Sequence, residues 1–82
     1  MDELLKNARR KVVGTKQTIK ALENGEARRI FIARDAEEMI VGPVLTLCQA
    51  DNIEPQYVET MIQLGKMCGI KVKAAVAAII EE

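Results

Sequence analysis

Eighty-two residues with 49% hydrophobic side chains make one small domain with enough apolar surface for a core, and too little length for two. Twelve Lys/Arg balance twelve Asp/Glu, so net charge alone gives no attraction to nucleic acid, and the two aromatic residues, Phe31 and Tyr57, are too few for a surface that stacks bases on rings. With no His, and with Cys48 and Cys68 far apart among apolar residues, no zinc site is expected, and two buried free thiols in a reducing setting are.

Charge is uneven along the chain. Residues 1–34 hold nine of the twelve Lys/Arg against four acids, and residues 35–82 hold three against eight. A chain dipolar in this way can present a basic face while staying neutral overall. The N-terminus, Met-Asp-Glu, has no apolar signal segment, and no apolar run approaches a membrane span. A cytoplasmic monomer with no membrane partner and no cofactor is the expectation.

In chain order, Asp2 to Arg10 reads as a short helix with acids at its positive end and Arg9 and Arg10 at its negative end. Lys11 to Gly14 is extended. Gly14-Thr15-Lys16-Gln17-Thr18-Ile19-Lys20 then opens a second helix, with Thr15 as its expected N-cap. This helix runs from about Lys16 to Glu23 and stops at Asn24-Gly25. Arg28 to Arg34 contains Ile30-Phe31-Ile32-Ala33, a central strand covered on both faces.

Asp35 to Glu38 is a polar loop. The third helix begins between Glu38 and Pro43, with Ile40, Val44, Leu47 and Cys48 as its buried face. Ile53 to Val58 is extended. Thr60-Met61-Ile62-Gln63 has the form of a capping box and starts a short helix that ends at Gly69. Ile70 to Lys73 is a loop, and Ala74 to Ile80 is a buried last strand. Alternation of helix and strand makes this an α/β protein, expected as a three-layer α/β/α sandwich with a small mixed four-stranded sheet.

Two stretches carry chemistry. Lys16 and Lys20 share a face at the start of a helix, with Gln17 between them. Free N–H groups, two cations and one amide suit a phosphate and a base edge together, although a solvated amphipathic helix has the same look. The Ile70-Lys71-Val72-Lys73 loop offers apolar side chains beside two cations. It could cover an unstacked base while its lysines neutralise backbone, or it could simply anchor on the core. Enzyme function is disfavoured. The chain has no His or Ser, no phosphate-binding glycine loop, and its Asp35, Glu37 and Glu38 sit in one turn.

Taken together, residues 14–20, Ile30-Phe31-Ile32-Ala33-Arg34-Asp35-Ala36-Glu37, residues 64–72 (Leu-Gly-Lys-Met-Cys-Gly-Ile-Lys-Val) and the Ala-rich last strand resemble the kink-turn RNA-binding ribosomal proteins, the L-seven-Ae family. The short bacterial paralogues are the nearest in look, and the likeness spans nearly the whole chain. It implies a sandwich fold over residues 1–82 and a ligand that is a bulged RNA duplex with tandem sheared G·A pairs, ribosomal or in a riboswitch. It implies an RNA-binding set of Gly14, Thr15, Lys16, Gln17, Lys20, Arg34, Glu37, Ile70, Lys71, Val72 and Lys73. The helix would read guanines in the opened major groove and the loop would cover the bulged nucleotide.

The family's helix pattern is Asn-Glu-x-x-Lys. Here Lys16 and Gln17 replace the first two members and Lys20 keeps the third. Gln accepts without charge and Lys only donates, so fewer exacting base contacts and more backbone attraction are expected. The alternative reading is a protein-interaction or ribosome-assembly module that docks its basic helix on an acidic partner. That role needs only the helix, whereas an RNA site needs helix and loop at one place.

Overall fold

The computed structural model describes residues 2–82. Met1 and the side chains of Asp2 and Glu3, which were expected to favour the first helix, lie outside the described residues. The elements are α1 (Asp2–Asn7), β1 (Arg10–Val13), α2 (Thr15–Glu23), β2 (Arg29–Ala33), α3 (Glu38–Ala50), β3 (Gln56–Val58), α4 (Met61–Met67) and β4 (Val76–Glu81). The four strands form one sheet in the order β1-β4-β2-β3. β4 runs antiparallel to both neighbours, and β2 and β3 are parallel, joined through α3.

Strand alternation divides the apolar residues between two faces. Phe31, Ala77 and Ile79 join Leu5 of α1 and Leu64 and Met67 of α4. Ile30, Ile32, Val76 and Ala78 join Leu22 of α2 and Val44 and Cys48 of α3. The result is the expected α/β/α sandwich. The small side chains of Ala77 and Ala78, both fully buried, let helices approach the central strand from either side.

Several boundaries differ from expectation, each for a local reason. Thr15 is not the N-cap of α2; that position belongs to Gly14, at φ 108° and ψ 154°, with no side-chain cap bond. The Gly14 N–H donates to Val76 O at 2.9 Å, and its carbonyl accepts from Thr18 N at 3.0 Å. That backbone conformation is essentially confined to glycine, so the helix must start there. Nor do Arg9 and Arg10 close α1, which ends at Asn7; Lys11 reaches back instead, its Nζ donating to Leu5 O at 3.1 Å.

α3 starts at Glu38 and carries Pro43 inside it. The carbonyl left without an intrahelical partner is that of Met39, whose residue is 87% exposed, so water can satisfy it. Its buried stripe is Val41, Val44 and Cys48, while Ile40 is 39% exposed, one position around the helix from the core. β3 is shorter than expected because Ile53 N is spent on Cys48 O, closing α3, and Pro55 has no N–H to give. β4 begins at Val76, since Ala74 N donates to Met61 O of α4 and not to a strand.

Candidate nucleic-acid interface

The topology gathers four connections at one end of the sheet. β1, β2 and β3 all finish there, and antiparallel β4 begins there. Hydrogen bonds tie the connections together: Gly14 N to Val76 O (2.9 Å), Ala33 N to Ala75 O (2.9 Å), Arg34 N to Val58 O (2.8 Å) and Ala74 N to Met61 O (3.0 Å). The start of α2, the β2–α3 loop and the α4–β4 loop therefore share this end. α2 flanks it from one face of the sheet and the α4–β4 loop from the other.

Lys16, Gln17 and Lys20 are exposed on α2, and no acid stands in its first turn. Gln17 and Lys20 form a ridge between two shallow grooves. One groove adds Lys16, Ile19 and Glu23, and the other adds Arg10 and Val12 from the edge strand β1. Arg10 thus joins the cations of α2. Arg10 was expected to end α1 but heads the edge strand β1, and its place there, next to the helix that β1 leads into, is the signal that could have found it.

Across the sheet end, Val72 is 68% exposed and Lys71 and Lys73 are exposed beside it. Ile70 differs: it is half-buried and packed against the core cluster under α1 and α4, so it anchors the loop and Val72 alone stands out. The loop is seated firmly on α4. Gly69, at φ 77°, turns the chain after the helix, and Ile70 N donates to Gly65 O at 3.1 Å. The Val72 carbonyl lies where a Cβ on Gly65 would stand, so only glycine permits this approach.

Arg34 and Glu37 lie on the β2–α3 connection. The Arg34 guanidinium already has partners: Glu59 Oε1 at 3.4 Å and the Tyr57 ring, 5.0 Å from its centroid. Glu37 occupies the N-cap position of α3 without a side-chain cap bond and is exposed. Between them Asp35 has a structural task that sequence reasoning missed. Its Oδ1 accepts from Met61 N at 2.8 Å, binding this loop to the start of α4. An Asp in a polar turn gives no sequence sign of a partner so distant along the chain.

Neither cysteine offers a nucleophile. Burial pushes the Cys48 thiol above its ordinary range, and nearby Asp51 adds to the effect. Burial likewise raises Cys68, partly offset by Lys11. Both are protonated at neutral pH. Among the described residues no cluster of His, Cys, Asp or Glu could hold a metal ion, and no helix is long and apolar enough to cross a membrane.

An exposed ridge of cations and one amide stands across a sheet end from an exposed valine, an arrangement that suits binding. Comparison with known proteins then names its kind. Residues 1–82 match the model of the ribosomal protein L7Ae/L30e/S12e/Gadd45 family, and the chain belongs to that family. An RNA-binding protein of Caldanaerobacter subterraneus subsp. tengcongensis is 46% identical over 69 residues, 84% of each chain. The RNA-binding protein YbxF of Geobacillus stearothermophilus is 44% identical over 69 residues, again 84% of each.

Among solved structures, the 15.5 kD RNA-binding protein of Giardia lamblia has a TM-score of 0.84 at 23% identity, covering 99% of this chain and 68% of that one. A protein of unknown function from Bacillus halodurans has a TM-score of 0.84 at 24% identity, covering 98% and 80%. At those identities the structures establish the fold. The family is one of ribosomal proteins by description, and both named relatives are RNA-binding proteins.

Proposed function

We propose that this chain is a non-enzymatic RNA-binding protein that recognises and stabilises kink-turns. The observation that carries the reading is the meeting of the α2 start and the α4–β4 loop at one sheet end, from opposite faces. A helix docked on an acidic protein partner would need no such pairing. The family match and the relatives named as RNA-binding proteins support the same class of ligand.

In this reading α2 enters the major groove opened at the kink. Lys20 donates to a guanine O6 or N7, Gln17 accepts from guanine N–H groups, and Lys16 contacts phosphate. Val72 covers the bulged nucleotide, with Lys71 and Lys73 on the backbone beside it. Ile70 holds the loop from beneath, and Gly14 and Thr15 let RNA approach the helix start. Glu37 orients a lysine or a ribose hydroxyl, and Arg34 reaches phosphate only by leaving Glu59.

A protein that fits the bent RNA and not the open internal loop shifts the population toward the kink. The chain would act as a cytoplasmic, monomeric architectural clamp on a ribosomal or riboswitch RNA.

The test is a titration against a kink-turn and against the same RNA with its G·A pairs replaced. Strong preference for the kink-turn is expected; equal affinity would end the reading. Lys20→Ala should weaken kink-turn binding by about 1–3 kcal/mol, the worth of a direct base contact. An unchanged dissociation constant would move Lys20 off the interface.

A further inference from the structure

Charge on the α1/α4 face is distributed in a way the clamp does not use. The acidic part of the chain, residues 35–82, has only three lysines, Lys66, Lys71 and Lys73. All three line one surface groove of about 530 Å³, with the exposed apolar side chains of Ile62 and Val72 between them. Lys66 also lines the adjoining groove, which adds Lys6 of α1 and Gln63 of α4.

The two depressions join at Lys66 into a track that leads from the α4–β4 loop along α4 to α1. Its four lysines are exposed, and among the described residues none has an ion-pair partner and no carboxylate lines either groove. The eight acids of residues 35–82 all lie elsewhere.

We propose that this track carries RNA backbone: one stem flanking the kink continues past the loop and lays its phosphates along Lys73, Lys71, Lys66 and Lys6. The inference rests on the kink-turn reading and extends it. Charge complementarity selects a polyanion, because repeated cations that meet no carboxylate among the described residues are neutralised by regularly spaced phosphates. Continuity selects RNA among polyanions, since Lys71, Val72 and Lys73 already belong to the clamp. The track runs away from α2, so only one of the two stems can reach it.

The test compares kink-turn RNAs of one core, with each stem lengthened in turn, binding to the wild type and to a Lys6→Gln/Lys66→Gln variant. Both side chains are exposed, and thermal melts check that the fold is kept. Lengthening one stem should tighten wild-type binding and lengthening the other should not. The variant should lose that gain. Its slope of log affinity against log salt should fall by about 1.8 for two lost phosphate contacts, so that between about 50 and 200 mM salt the wild type loses roughly tenfold more affinity.

A variant that keeps both the gain and the slope overturns the track. So does a wild type that gains nothing from either stem while phosphatidylserine vesicles bind it and not the variant. Kink-turn preference over the G·A-replaced RNA is scored separately in the wild type. Its absence overturns the kink-turn reading, whereas its presence beside an unchanged variant overturns the track alone.

Discussion

The start of α2 takes its place from a single backbone conformation: Gly14 stands at φ 108°, bonds to Val76, and has nothing within 4 Å of where a Cβ would be. The α4–β4 loop takes its place from contact. Gly65 has an ordinary φ, yet the Val72 carbonyl rests against its Cα with no room for a methyl group. One glycine provides a dihedral angle and the other provides space. Damage to the first should be local to the helix start, whereas damage to the second must move the whole loop, because a backbone carbonyl cannot rotate aside as a flexible side chain would.

Gly65→Ala should therefore have the largest effect. Overpacking of a buried site typically costs about 1–3 kcal/mol, and a backbone obstacle puts this substitution near the upper end. Urea unfolding should show the loss. The RNA titration should show a second one, because Val72, Lys71 and Lys73 would be displaced together. A variant with the wild-type midpoint would mean that the loop does not depend on the close approach.

Gly14→Ala should cost somewhat less, about 2 kcal/mol, from forcing a side chain into a region that is nearly glycine-only. No clash adds to it. Relief by local refolding would shift the start of α2 and the Gly14–Val76 hydrogen bond, leaving the α4–β4 loop as it was. Amide exchange can separate the two halves: protection should fall at the start of α2 and hold at Ile70 and Ala74. Loss at both ends would erase the distinction between a local and a packed half.

The same distinction explains what could be read from the residues alone. Alternating apolar segments led to the sandwich, because Ile30 to Ala33 and Val76 to Ile80 are buried whatever packs on them. The α2 motif was legible too, since helix starts and i,i+4 faces are local properties. Thr15 misled because a threonine before a helix is an ordinary cap, and only the dihedral of Gly14 shows that the cap comes one residue earlier. Ile70 and Val72 look alike in sequence, yet one is an anchor and the other is exposed. The Asp35–Met61 bond and the gathering of Lys6 with Lys66 depend on tertiary contact, which no window of residues contains.

Two threonines give the smallest and most selective test. Thr60 and Thr15 stand at the starts of the helices that carry the two halves, and each looks like a cap. Thr60 is one, for its Oγ1 accepts from Gln63 N at 3.0 Å, with its own backbone extended at φ −137° and ψ 156°. Thr15 is the first residue inside α2 and makes no cap bond. Thr60→Ala should cost about 1 kcal/mol, the usual loss of a threonine cap. Thr15→Ala should stay within about 0.5 kcal/mol of wild type, because it removes no cap and replaces threonine with a better helix former. Paired urea midpoints decide the matter. Equal losses at both sites would mean that Thr15 caps its helix in solution and that Gly14 is less committed to its conformation than its hydrogen bond to Val76 implies.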